Sequence, residues 1–366
     1  MKFKYLVGIL FCSFCILLLS CNEEDDLINE VDRTLIFYMI ADNDLATEAY
    51  KDIEDIRKNT ITSPRVNIII FIDYAFEEPK IIKIINNTIE TVRLYSEFNS
   101  ADGDEMNKVL THIINLFPAK KYELVLWSHG TSWLPSERLL KSFGIDEGKG
   151  MDISSLASSL PIKFDYILFD ACLMGAIEVA YELRHLTNYI IASSSEVLKN
   201  GFPYHLIMQY FCDSPVDMKK IAETYYDYYN QQSGIFRSAT ISLIDTSELE
   251  ALAAEIKKLL TENSMDFSSF DRASVQRLDV YEEQYHFDLS DFFNKAFPDV
   301  DKSAFEEQLK KTVLYKANTP QFLEMYDIKA YCGLSCYIPT NNRPDLNRCY
   351  SGLGWSIDSG MNNVIN

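Results

Sequence analysis

The sequence predicts an α/β fold: a largely parallel central sheet with helices on both faces, plus a mainly helical C-terminal part that adds a strand. Two observations carry this reading. Five short runs are apolar almost throughout and rich in β-branched or aromatic residues, as strands buried on both faces must be. They are Thr34–Ile40, Val66–Ile72, Tyr122–Trp127, Phe164–Phe169 and Tyr189–Ala192. Between them lie stretches of helical character, and strand alternating with helix is the signature of a sheet covered on both sides.

The elements follow in order. Ala46–Lys58 and Gly103–Leu116 read as helices, the second closed by Phe117-Pro118. Residues 81–95, IIKIINNTIETVRLY, read as a hairpin turning at Asn86-Asn87 and extending one edge of the sheet in antiparallel fashion. Ser154–Leu160 is a short helix ending at Pro161, and Leu173–Leu186 is expected to be helical. After residue 245 the pattern changes: Ser247–Glu262 and Ser303–Leu314 are amphipathic, and Cys332–Pro339 reads as one more strand. The boundaries expected are therefore 1–20, 21–32, 33–245 for the core, and 246–366 for a C-terminal subdomain packed on it.

With 366 residues, 47% of them apolar, the chain can bury a large core. Its formal charge of −20 argues against nucleic acid, because phosphate contacts need clustered Lys and Arg. Basic partners suit it better, although acidity also serves solubility alone. The first 21 residues, MKFKYLVGILFCSFCILLLSC, have the basic, then apolar, order of a signal peptide. Their end, Leu18-Leu19-Ser20-Cys21, resembles a bacterial lipobox. That resemblance implies cleavage before Cys21, lipidation of its thiol and attachment to the outer membrane, with the face of the membrane left open; residues 21–32 read as a flexible acidic tether, because charge dominates there and apolar periodicity is missing. An ordinary signal peptide ending in Cys is the other reading. Cleavage there removes Lys2 and Lys4 and no acid, which moves the formal charge from −20 to −22.

Beyond Cys21 the cysteines are Cys172, Cys212, Cys332, Cys336 and Cys349. The number is odd and no CxxC occurs among them, so neither a disulfide framework nor a zinc site is expected.

In open α/β sheets, ligands bind outside the carboxyl ends of the strands. The residues just past the runs are Asp42 and Asp44, Asp73, Ser128-His129-Gly130, Asp170-Ala171-Cys172 and Ser193–Glu196. One His and one Cys thus stand at equivalent positions on two strands. A thiol attacks carbonyls as thiolate, and a nearby imidazole lowers its pKa or protonates the leaving amine. A helix opening at Leu173 would add positive potential at Cys172. The amides of Gly130 and Cys172 are candidates for an oxyanion hole. Cys172 could equally be a small buried apolar residue. No HExxH and no GxSxG occurs, so neither a zincin nor a nucleophile elbow is supported.

Leu126-Trp127-Ser128-His129-Gly130 and Phe169-Asp170-Ala171-Cys172-Leu173-Met174-Gly175 resemble the clostripain family (C11) of cysteine peptidases, which shares a caspase-like fold with caspases, gingipains and legumain. Asp146 in FGIDEG, Glu196 before Gly201-Phe-Pro-Tyr204, Asp288–Phe292 and Gly333–Pro339 follow in fitting order. The resemblance implies Cys172 as nucleophile, His129 as its partner, and Asp170 at the floor of a pocket selecting Arg or Lys. Capping of the following helix is the alternative for Asp170. Glu196 is a second acid expected near the pocket rim. The family is made as zymogens clipped after the His, which marks Arg138, Lys141 and Lys149 as candidate cleavage sites, unless the loop is simply exposed and basic. Here Thr131-Ser132 stand where the family often has further glycines. The founding member is calcium-activated. No DxDxDG loop occurs, so no cofactor is expected and calcium stays open. Expected partners are protein or peptide substrates with a basic residue before the cut, and the membrane through the N-terminal lipid. The rival class is a catalytically silent lipoprotein that grips basic peptides.

Overall fold

A computed structural model describes residues 30–134, 142–263, 267 and 270–364. Cys21, the whole signal and tether up to residue 29, and the candidate cleavage positions Arg138 and Lys141 lie outside the described residues. Among the described residues no helix is long and apolar enough to cross a membrane.

The chain runs β1 (Val31–Ala41), α1 (Ala46–Asn59), β2 (Val66–Tyr74), β3 (Lys80–Ile85), β4 (Thr88–Leu94), α2 (Gly103–Leu116) and β5 (Ala119–Trp127). A small ribbon follows, β6 (Phe143–Asp146) and β7 (Lys149–Met151), then α3 (Ile153–Ser159), β8 (Phe164–Asp170), α4 (Ile177–Glu182) and β9 (Thr187–Ala192). Next come α5 (Tyr204–Cys212), α6 (Met218–Asn230), β10 (Thr240–Asp245) and α7 (Leu249–Glu262). The remainder holds β11 (Phe287–Asp288), α8 (Leu289–Ala296), α9 (Ser303–Thr312), β12 (Val313–Asn318), β13 (Gln321–Phe322), β14 (Tyr326–Asp327), β15 (Ser335–Cys336), α10 (Pro344–Tyr350) and α11 (Gly354–Ser359).

The main sheet has the order β12-β10-β9-β8-β5-β1-β2-β3-β4. Its five central strands, β9 to β2, are parallel, and the pairs at both ends are antiparallel. The five apolar runs form these central strands, and nine consecutive residues of β1 are buried. Side chains alternate across the sheet. Ile36, Tyr38 and Ile40 face a core completed by α2, α3, α4, α7 and the C-terminal helices. Leu35, Phe37 and Met39 face α1, α5 and α6. The hairpin turns at Asn86 and Asn87, both at positive φ (49° and 60°), as the mirror-image turn of a two-residue loop requires.

Two expectations about C-terminal elements change. Cys332–Pro339 does not join the main sheet: only Ser335–Cys336 is extended, paired with Phe287–Asp288. The strand that the C-terminal part adds is β12, next to β10. It occupies the end of the segment expected to continue as a helix to Leu314. Asp288, in the Asp-Leu-Ser-Asp motif, caps α8 by accepting from the Asp291 amide at 2.9 Å.

At the far end of the sheet, away from the strand C-termini, Arg33 and Glu123 form a buried pair in which Nη1 donates to both carboxylate oxygens at 2.8 Å. Arg33 also donates to the carbonyls of Phe211 and Asp213, which ties β1 to the end of α5. Arg33→Met strands a buried carboxylate and is expected to cost about 3–5 kcal/mol. Urea unfolding of Arg33→Met beside the double replacement Arg33→Met/Glu123→Leu checks this, and the double variant should be the more stable of the two.

Candidate active site

Strand register sets the positions. Trp127 at the end of β5 lies opposite Asp170 at the end of β8, so the next few residues of each strand emerge side by side. Ser128 stitches three strand ends together. Its hydroxyl donates to the Ile40 carbonyl at 2.9 Å, and its amide donates to the Asp170 carbonyl at 3.3 Å. His129 follows directly. Its carbonyl accepts from the Gly144 amide, and Thr131 donates to Ser142, so the bonds of the Gly130–Phe143 bridge run through these flanking residues. The Gly130 amide is thereby left out of that bridge. A Cβ on Gly130 would lie 2.7 Å from the Cys172 carbonyl oxygen, which only glycine permits.

Cys172 is placed by a turn rather than by a helix. The expected helix from Leu173 is absent: the chain stays irregular to Ala176 and α4 spans only Ile177–Glu182. Leu173 sits in the left-handed region at φ 64° and donates to the Ser195 carbonyl at 2.9 Å. Gly175 donates to the Ser193 carbonyl at 2.7 Å and accepts from the Ser194 hydroxyl. These bonds to the end of β9 hold the turn, so Cys172 has no helix N-terminus beneath it and draws no potential from one.

The thiol is engaged by backbone. The Val197 amide donates to Sγ at 3.2 Å, and Sγ–H donates to the Val197 carbonyl at 3.6 Å. Burial pushes the thiol up to about 12, with the Val197 amide pulling the other way and the acids Glu196 and Asp170 adding to the rise. His129, partly exposed, bonds through Nε2 to Asp44 Oδ1 at 2.8 Å. That bond is the first cause holding the Asp44 carboxyl below the usual range.

His129, Cys172 and Asp170 line one cavity of about 220 Å³ together with Asp44, Val197 and Lys199. Asp170 is 5% exposed; its Oδ2 accepts from the Phe202 amide at 3.1 Å and the Tyr204 hydroxyl at 2.9 Å. It therefore caps neither α4 nor α5, whose N-cap positions are Ala176 and Pro203. A Cβ on Gly201, at φ 61°, would fall 2.9 Å from that same oxygen. Burial raises Asp170 to about 6 against the pull of those two donors. Beneath it lies Asp52 on α1, which accepts from the Trp127 indole at 3.0 Å and is raised to about 8 by burial and then by Asp170. Asp52 escaped the sequence reading. The available signal was an acid on the apolar face of α1, beside Ala49, Ile53 and Ile56.

Glu196 is not part of this cavity. It is partly buried, with Oε1 accepting from the Val280 amide at 3.0 Å, which anchors the 278–286 segment, and its charge still reaches the Cys172 thiol. Lys149 is exposed on β7. Cys172, Cys212, Cys332, Cys336 and Cys349 are all free. Among the described residues no group of three or more His, Cys, Asp or Glu side chains is arranged to hold a metal ion. His205 and His286 face Asp55 at 3.6 Å and Asp279 at 3.1 Å.

Several carboxyls around the sheet are raised chiefly by burial: Asp52 and Asp73 to about 8, Glu178 and Glu196 to about 7, and Asp170 and Glu123 to about 6. Unfolding returns each to the ordinary carboxyl range. Between the two values the folded chain keeps protons that the unfolded chain has lost. Stability is then greatest on the acid side and falls as pH rises through 6 to 8. Thermal unfolding followed from pH 5.5 to 8.5 should show a falling midpoint. A midpoint rising over that range contradicts the assignment.

A thiol and an imidazole at neighbouring strand ends, lining one cavity with a buried acid, make the arrangement of a cysteine-peptidase scaffold. The sequence model of the clostripain family matches residues 37–350. The chain belongs to the clostripain family of C11 cysteine peptidases. It is 26% identical over 215 residues to clostripain of Hathewaya histolytica, an alignment covering 48% of this chain and 41% of that relative's length. Among solved structures, an inactive zymogen C11 protease from Parabacteroides distasonis is 31% identical with a TM-score of 0.81, covering 90% of this chain and 98% of that one. A secreted C11 cysteine protease from Bacteroides thetaiotaomicron, in complex with an irreversible peptide inhibitor, is 27% identical with a TM-score of 0.80, covering 90% and 99%.

Proposed function

We propose that this chain is a lipid-anchored endopeptidase that cuts after Arg or Lys through Cys172 and His129. The observation that carries the specificity is the buried Asp170 carboxylate in the cavity that Cys172 and His129 also line. A guanidinium or ammonium entering that cavity meets a fixed, hydrogen-bonded acid. The peptide inhibitor held by the Bacteroides protein supports peptide as the substrate class.

In the reaction, the Cys172 thiol gives its proton to His129 as its sulfur forms a bond to the scissile carbonyl carbon. The oxygen takes up the electron pair and is held by the amides of Gly130 and Cys172. His129 passes a proton to the amine as the C–N bond breaks. Water then cleaves the thioester, which frees the acid and restores the thiol. Sγ must first leave the Val197 peptide, since a neutral thiol bonded to backbone is a poor nucleophile. Clipping in loop 131–150, at Arg138, Lys141 or Lys149, is the proposed event that frees it.

The test is a panel of fluorogenic peptides with Arg, Lys, Asp, Leu or Phe before the cut. It is run on the full chain with and without calcium and after trypsin nicking, alongside a gel. Cleavage after Arg or Lys, with two fragments on the gel, supports both the activity and self-processing. No cleavage under any of these conditions replaces the reading with a silent, peptide-binding lipoprotein. Metabolic labelling with a palmitate analogue tests Cys21 separately.

A further inference from the structure

We propose that Asp44 is a positioning residue for His129: it holds Nε2–H, fixes the imidazole tautomer, and leaves Nδ1 to face the reacting thiol and leaving amine. The inference rests on the Cys172–His129 reading above and extends it by one residue.

The geometry is specific. Asp44 lies in the turn that leaves β1, the strand beside β5 that carries His129. Its neighbour Asn43 pins that turn. The Asn43 amide nitrogen donates to the Ile40 carbonyl at 3.1 Å and the Ile145 carbonyl at 2.7 Å, and its oxygen accepts from the Leu45 amide at 2.9 Å. Ile145 belongs to the ribbon that also bonds the His129 carbonyl through Gly144. Asp44 and His129 are thus carried by a shared set of backbone bonds and meet at 2.8 Å.

An imidazole has two nitrogens. When a carboxylate takes one N–H, the tautomer is set and the other nitrogen is the one free to exchange a proton with the substrate side. The same carboxylate stabilises the imidazolium, the form that donates to the leaving amine. The other charged or titratable groups around the cavity are Lys199, which pairs with Glu48 of α1 at 3.4 Å, Cys172 and Asp170 after β8, and Asp52 beneath. Lys199 also contributes to holding the Asp44 carboxyl below its usual range. The opposite possibility, that Asp44 draws His129 away from Cys172 and silences it, predicts the reverse change in rate.

The experiment compares full-length wild type, Asp44→Asn, Asp44→Glu and Cys172→Ala. Because the Asp44 side chain is 76% exposed, the effect is that of a screened ion pair. Asp44→Asn is expected to lower kcat about three- to tenfold, with KM within about twofold, and 1 M salt should shrink the difference. The alkaline limb of kcat/KM should move to lower pH, as an imidazolium without its carboxylate loses its proton earlier, and Asp44→Glu should restore part of it. Independently of turnover, the His129 ring resonances, assigned with His129→Ala, should titrate at lower pH in Asp44→Asn. An unchanged His129 titration overturns the inference, as does a faster Asp44→Asn enzyme. Wild type that cuts no peptide, with the titration still shifted, sinks the peptidase reading and leaves the Asp44–His129 coupling standing.

Discussion

Cys172→Ala is expected to lower kcat/KM toward basic peptides by about 10⁴- to 10⁶-fold, the scale on which hydrolases lose rate when their nucleophile is removed. The variant should also escape labelling by a peptide carrying a thiol-reactive group. Its fold should survive. Sγ contributes only bonds to the Val197 backbone, and the turn that bears it is held by Leu173 and Gly175 bonding to Ser193 and Ser195. Circular dichroism and thermal unfolding of the variant separate lost chemistry from lost structure. Residual activity within tenfold of wild type would mean that the reacting group lies elsewhere.

The second large effect is expected at Asp170. Asp170→Asn keeps the shape of the side chain and removes its charge. Truncating or neutralising one partner of a buried, hydrogen-bonded charge pair costs about 2–5 kcal/mol, which corresponds to roughly 30-fold to several-thousand-fold in kcat/KM for Arg or Lys substrates. Peptides with Leu before the cut should change little, so the ratio of basic to apolar substrates is the measurement. The pH dependence follows from the same group. Burial raises Asp170 to about 6, so the pocket carries its charge above that value and loses it below. The preference of wild type for Arg over Leu should therefore weaken as pH falls through about 6, and Asp170→Asn should show no such trend. A basic preference that persists in Asp170→Asn would move the selecting acid to another residue lining the cavity.

Much of this was legible in the chain because it is local. A run such as Phe164–Phe169 is apolar at every position but Asp165, and the residues following such a run come to the edge of the sheet. From that alone, His129, Cys172 and Asp170 could be placed at one edge, and the motifs around them pointed to the family that the comparison then showed. The Asn86-Asn87 turn was equally local, since two residues that tolerate positive φ sit between matched strands.

What stayed hidden depends on pairings distant in sequence. Local pattern favoured a helix directly after Cys172, but Ser193 and Ser195 offer carbonyls to Leu173 and Gly175, and those bonds hold an irregular turn instead. Cys332–Pro339 looks like a strand on its own, yet the position beside β10 goes to Val313–Asn318. Val197 grips a thiol 25 residues before it, and Asp44 meets an imidazole 85 residues after it. Asp52 sits under Asp170 because α1 packs on the face where Trp127 offers its indole N–H. The sequence by itself determined which residues reach the carboxyl edge of the sheet, because a strand's period and end are written in consecutive side chains. Only the tertiary structure decided what the thiol, the imidazole and the pocket acid touch there, because those partners come from other strands and loops and are set by packing.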